Sequence, residues 1–223
     1  MKPAKHPLFL NRYDAGQQLA GQLTAYANRD DVLVMALPRG GVPVGYEVAQ
    51  RLGAPLDVFL VRKLGVPGQE ELAMGAIAVA GAATKPIRVL NQDVLRTHRI
   101  STAVLDTVTK QELRELERRG HLYRGERTEP IVANRVVLLV DDGLATGATM
   151  RAAVAALRVR QPAQVVIAVP VAAADVCNTL ASVSDAVVCA ATPEPFYGVG
   201  LWYADFTQTT DDEVRSLLAA SRQ

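Results

Sequence analysis

Five short, almost wholly apolar runs are spread along the chain, at residues 32–37 (VLVMAL), 56–61 (LDVFLV), 136–140 (VVLLV), 165–169 (VVIAV) and 186–189 (AVVC). None alternates apolar with polar residues, so each strand must be covered on both faces, the condition of a parallel sheet held between helices. The intervening segments supply those helices. Val44, Val48, Ala49 and Leu52 recur at helical spacing up to Gly53, residues 150–159 carry the chain from the third run into a helix, and residues 175–183 form another between the fourth and fifth runs. An earlier helix is expected from Asp14 as N-cap, with Leu19, Leu23, Tyr26 and Ala27 on one face. The pattern predicts an α/β fold: an open, mainly parallel five-stranded sheet flanked by helices.

Two regions depart from that rhythm. Residues 63–69 are polar and glycine-bearing and read as a mobile loop, followed by a hairpin of residues 73–80 and 87–90 around 81–85. From Ser101 to about Arg124, charges interleave with Val104, Leu105, Val108, Leu113 and Leu116, which reads as a solvated amphipathic helix. After Pro193 the texture changes again, with Phe196, Tyr197, Trp202, Tyr203 and Phe206 close together among the chain's few aromatics. The expected organisation is one domain over 1–223, with a hairpin and helix insertion at about 64–130 and a small C-terminal aromatic hood at about 192–206.

Composition narrows the function classes. Twenty-four Lys and Arg against 23 Asp and Glu give a net charge of +1 over 223 residues, which leaves no global field for a nucleic-acid backbone or an anionic membrane. An anionic ligand must therefore be caught locally. The two cysteines, Cys177 and Cys189, lie outside any metal-ligand spacing and suggest neither a zinc cage nor a disulfide framework, and the N-terminal residues carry no apolar export segment. A cytoplasmic protein is expected, with no membrane or nucleic-acid partner; a homo-oligomer is left open.

In an open α/β sheet, ligands bind outside the carboxyl ends of the strands. The exit of the third strand is the most informative: Asp141, Asp142, Gly143, Leu144, Ala145, Thr146, Gly147, Ala148 and Thr149. A small-residue turn opening a helix is an anion cradle, built from backbone amides and the helix N-terminus. The adjacent carboxylates would repel a phosphate and should face hydrogen-bond donors such as vicinal hydroxyls. A sugar carrying a terminal phosphate satisfies both. The run is not a P-loop, because it lacks the Gly-Lys-Ser/Thr ending, and it is not GxGxxG, which disfavours a dinucleotide-dependent oxidoreductase.

Residues 136–150 (VVLLVDDGLATGATM) resemble the signature of the type I phosphoribosyltransferases, enzymes that use 5-phosphoribosyl-1-pyrophosphate (PRPP). The resemblance implies that Asp141 and Asp142 hold the ribose hydroxyls and that the turn Ala145, Thr146, Gly147, Ala148 and Thr149 binds the 5-phosphate, with Gly143 also among the PRPP-binding residues. Arg39, Gly40 and Gly41 resemble the family's pyrophosphate loop, and Arg62 with Lys63 the basic pair near the same pyrophosphate. Phe196, Trp202 and Tyr203 lie in a segment similar to the hood over the acceptor. Arg39, Lys63, Asp141 and Asp142 are the implied catalytic set.

The chain departs from the better-known members in three ways. Ala145 stands where hypoxanthine-type enzymes carry an aspartate, Val66-Pro67-Gly68 stands where a second lysine follows the basic pair, and residues 64–130 are unusually long. The whole is most similar to an uncharacterised bacterial branch of predicted phosphoribosyltransferases. The implied reaction transfers the phosphoribosyl group to a nitrogenous acceptor with loss of pyrophosphate. The implied cofactor is Mg²⁺, held mainly by substrate and water rather than by protein ligands. The loop 65–71 is expected to fold over the site. The alternative is a catalytically silent protein that senses PRPP or a nucleotide on the same fold.

Overall fold

The computed structural model describes residues 7–78, 86–125 and 130–221. All five apolar runs form parallel strands of one sheet: β1 (Val32–Ala36), β2 (Leu56–Val58), β6 (Val136–Val140), β7 (Gln164–Val171) and β8 (Ala186–Ala191), in the spatial order β2-β1-β6-β7-β8. Side-chain alternation divides the core in two. Val32, Val34, Ala36, Leu138 and Val140 face one side, and Leu33, Met35, Val137, Leu139 and Ile167 the other, all essentially without solvent contact. The first face is covered by α1 (Arg12–Gln22), α2 (Gly41–Leu52), α4 (Thr102–Arg124) and α7 (Asp211–Ala220), the second by α5 (Ala148–Arg158) and α6 (Ala174–Ala181). Among the described residues no helix is long and apolar enough to cross a membrane.

The helix expected to start at Asp14 begins at Arg12. Asn11 caps it, accepting from the Tyr13 and Asp14 N–H groups at 3.0 Å, and Asp14 reaches back to the Leu10 N–H at 2.9 Å. A larger difference concerns the second strand, read as residues 56–61. Only Leu56–Val58 pairs with β1; after Phe59 and Leu60 the chain enters a separate antiparallel sheet of β3 (Val61–Val66), β4 (Gln69–Ala78) and β5 (Ile87–Leu90). Arg62 and Lys63 therefore lie inside a strand, opposite Ile77 and Ala76. The segment expected to be a mobile lid over the site is a paired hairpin turning at Pro67 and Gly68, the latter at φ 79°. The buried anchors Leu64 and Val66 hold this strand to the core, and the intervening charges masked them. The expected hairpin with β5 is present, its tip at 81–85 lying outside the described residues; α3 (Gln92–Thr97) then leads to α4.

Cys177 on α6 and Cys189 on β8 form a disulfide, with Cα atoms 6.8 Å apart. This corrects the sequence reading. Spacing along the chain does not reveal that α6 turns back alongside β8, which is what brings the two sulfurs together.

Asp57 on β2 and Arg124 at the end of α4 are both buried, 6% and 4% exposed, with Arg124 Nε 3.3 Å from Asp57 Oδ1 and another guanidinium nitrogen donating to the Val58 carbonyl. Removing one member of such a pair leaves a charge in low dielectric without its counter-ion. Asp57→Ala is expected to lower the unfolding free energy by roughly 3–5 kcal/mol in urea titrations, and adding Arg124→Met should recover most of it.

Candidate functional site

Chain order reverses between β1 and β6: β2 lies on one side of that junction, β7 and β8 on the other. This is a topological switch point, and the loops leaving it splay apart to open a crevice. The two loops are 37–41 from β1 and 141–147 from β6. They meet at the backbone, where the Leu37 N–H donates to the Val140 carbonyl at 2.8 Å.

The contact beyond is closer still. A Cβ on Gly40 would lie 2.0 Å from Asp142 Oδ2, and one on Gly41 would lie 2.8 Å from both the Asp141 Cα and the Val140 carbonyl oxygen. Gly40 has ordinary helical dihedrals, φ −60° and ψ −35°, so glycine stands there for proximity rather than for backbone freedom. The Pro38-Arg39 peptide is cis.

Beyond the carboxylates the chain is pinned by the Leu144 N–H, which donates to the Val171 carbonyl at 2.9 Å, and then turns into α5. Gly147 caps that helix at φ 68° and ψ 6°, a left-handed conformation suited to glycine, with Val176 and Leu180 of α6 behind it. Ala145, Thr146 and Thr149 are exposed. The helix dipole and the first-turn amides make this turn attractive to an anion.

Asp141 and Asp142 sit at the centre. The Asp142 N–H donates to Asp141 Oδ1 at 2.9 Å, and Arg12 Nε lies 2.8 Å from Asp142 Oδ2. Burial pushes the Asp141 carboxyl well above the ordinary aspartate value, and the neighbouring Asp142 charge pushes it further. Burial also raises Asp142, against the opposing pull of Arg12.

Arg39 Nη1 lies 3.7 Å from Asp211 Oδ1 at the start of α7, and the buried Tyr123 of α4 donates to the same oxygen at 2.5 Å. Arg62 is held in an ion pair with Glu112 of α4 at 2.5 Å. Lys63, its neighbour in β3, projects to the opposite face of that sheet. The basic pair is thus split, and Arg62 is committed to α4.

Tyr203 is 5% exposed, packed against Phe9 and Phe206 with ring centroids 5.3 and 4.9 Å away, and its hydroxyl donates to the Asp142 carbonyl at 2.5 Å. Its ring has no face to offer a ligand, so its part is to brace Asp142. Phe196 and Trp202 remain partly exposed and stack at 6.4 Å; Trp202 Nε1 is buried with no acceptor among the described residues. The hood is shared with the N-terminal segment, since the Leu8 and Phe9 N–H groups both donate to the Trp202 carbonyl, at 2.9 and 3.0 Å.

Sequence reasoning missed Arg12, Phe9, Tyr123 and Asp211. Arg12 carried a signal, because a cation in the first turn of a helix opposes the dipole and needs another partner. Asp211 did too: Thr210 through Glu213 (TDDE) is a capping pattern that announces α7.

A family model for the phosphoribosyl transferase domain matches residues 9–196, spanning both loops and the acidic pair. The chain belongs to the phosphoribosyl transferase family. Two Mycobacterium tuberculosis proteins, from strains CDC 1551 and H37Rv, provisionally named phosphoribosyl transferases, are 48% identical over 211 residues, 95% of this chain. The match covers 46% of their length, so this chain spans about half of those relatives. The crystal structure of TT1426 from Thermus thermophilus superposes with a TM-score of 0.85 at 38% identity, covering 96% of this chain and 99% of that one. The region matched by the family model includes both switch-point loops.

The raised carboxyls set a pH signature. A folded state that holds protons more tightly than the unfolded chain loses stability as pH rises from the ordinary aspartate value, about 3.9, through the folded one. Asp141→Asn removes this loss. Its melting temperature should exceed that of the unaltered protein at neutral pH, with the gap closing toward pH 4, as followed by scanning calorimetry; an equal loss at both pH values would contradict the assignment.

Proposed function

We propose that the protein is a phosphoribosyltransferase that displaces pyrophosphate from C1 of PRPP with a nitrogenous acceptor. The observation that carries this reading is the bare Gly40-Gly41 backbone laid against the Asp141-Asp142 pair, beside an anion-cradling turn. A phosphate, vicinal hydroxyls and a second anionic group can then be met within one crevice. In this reading the turn 145–149 takes the 5-phosphate, Asp141 and Asp142 accept from the ribose hydroxyls, and the 39–41 amides with Arg39 take the pyrophosphate. The 1–223 chain acts as one unit, with 64–130 as an insertion.

Arg39 faces the leaving group with its charge held in reserve by Asp211, a half-exposed contact that a pyrophosphate can replace. Preorganised donors aimed at charge that grows during bond breaking lower the barrier most, and they act here without a protein nucleophile. Lys63 is retained as a second cation for that end of the substrate. Phe196 and Trp202 are assigned to the acceptor, Trp202 offering its buried N–H. Magnesium is assigned to the pyrophosphate end of the substrate, where substrate oxygens and water would hold it, as is usual for this ion in phosphate sites. When bound, the ion supplies charge neutralisation at the pyrophosphate.

The test is a panel of nucleobases and related nitrogen heterocycles with PRPP and Mg²⁺, read as pyrophosphate release. Turnover with one acceptor class supports the reading, and PRPP binding without turnover across the panel points to a sensor. The double variant Asp141→Asn/Asp142→Asn should lose roughly 1.5–3 kcal/mol of PRPP affinity per charge-assisted hydrogen bond weakened, measured by calorimetry. Unchanged affinity would remove the ribose assignment.

A further inference from the structure

Arg12 makes three contacts of different kinds. Its Nε meets Asp142 Oδ2 at 2.8 Å, its Nη1 donates to the Thr207 carbonyl at 2.7 Å, and its guanidinium lies 3.9 Å over the Phe206 ring. Two in-plane donors and a stacked face use both the fork and the plane of the guanidinium, which a lysine cannot reproduce. The side chain is well shielded, 11% exposed, against 16% for Asp142. Its backbone opens α1, where a cation opposes the helix dipole, so the helix alone gives no reason for arginine there.

We propose that Arg12 is a positioning residue that locks Asp142 in its ribose-facing place and couples that carboxylate to the hood. The inference rests on the ribose reading of the acidic pair given above. Asp142 is pinched between Arg12 and the Gly40 backbone, while its own backbone is held by the Tyr203 hydroxyl on the carbonyl and by Asp141 on the N–H. The groups facing it are Asp141 from the end of β6, Arg12 from α1 and Tyr203 from the hood, with Asp205 beyond Arg12 and engaged by Thr207. Of these only Arg12 is a cation.

Two adjacent carboxyls in a poorly solvated site tend to share a proton, and a protonated carboxyl is a poorer acceptor for a sugar hydroxyl. Arg12 opposes the burial that favours protonation of Asp142 and so favours its ionised form beside Asp141. Because the same guanidinium rests on the Phe206 ring and the Thr207 carbonyl, that support is tied to the seating of the hood.

The experiment is calorimetric titration with PRPP and Mg²⁺, with pyrophosphate as a control ligand, over roughly pH 6 to 9, for the unaltered protein, R12M, R12K, D142N and R12M/D142N. R12M should lose about tenfold more PRPP affinity than the unaltered protein between pH 8 and pH 6, while pyrophosphate affinity moves less than about threefold. R12K keeps the charge, so its acidic limb should match the unaltered protein with a uniform loss of affinity; a shifted limb in R12K overturns the proposal even if R12M fails to fold. The double variant should be no weaker than D142N alone, and additive losses would show that Arg12 acts elsewhere. A destabilised R12M with the unaltered pH profile reduces Arg12 to a structural tie and overturns the proposal. An unaltered protein that binds no PRPP at any pH overturns the ribose reading itself, and the proposal with it.

Discussion

Two glycines laid directly on two aspartates set the terms for the rest of this structure. Gly40 and Gly41 approach Asp142 and Asp141 so closely that no side chain fits between them. That approach requires the loops leaving β1 and β6 to be adjacent, and the strand order provides it by placing those strands side by side at the point where chain order reverses. Both flanking strands are buried on both faces, so the loops have rigid footings. Precision in the crevice is inherited from the sheet.

The arrangement has an electrostatic consequence. Adjacent carboxyls in a poorly solvated place raise each other's proton affinity, and the structure accepts that strain at the site and counters it nearby. Arg12 and the Gly40 backbone crowd Asp142 Oδ2, while the Asp142 N–H occupies Asp141 Oδ1. The basic groups are treated similarly. Arg39 is steadied by Asp211 and Arg62 by Glu112, but the first contact is long, 3.7 Å, while the second is short, 2.5 Å, and ties β3 to α4. The second contact holds two elements of the fold together.

Much of this was legible beforehand because it depends on local pattern. Short apolar runs without alternation, bounded by turn residues and separated by helical patterns, read as strands covered on both faces, and an acidic pair followed by a small-residue turn marks the start of a helix by residue type alone. The misreadings have physical causes. Residues 63–66 pass for part of a loop because Lys63 and Gly65 interrupt the strand pattern, although Leu64 and Val66 are buried by tertiary packing. Tyr203 reads as a stacking platform because aromatic density says nothing about which ring faces are covered, and Phe9, from the other end of the chain, covers it. The capping signal of α7 is local and readable, but nothing local ties Asp211 to Arg39 as its counter-ion.

The sequence by itself determined the parallel sheet and the residue types of the two loops that leave the switch point, since both follow from residue type at short spacing. Tertiary structure alone decided which charges meet. Arg12 and Asp142 are 130 residues apart, Tyr123 and Asp211 are 88 apart, and Cys177 and Cys189 face each other only because α6 folds back along β8. Such pairings depend on how helices and hood settle on the sheet, and the free energy that settles them is burial summed over the whole core, which no local run of residues encodes.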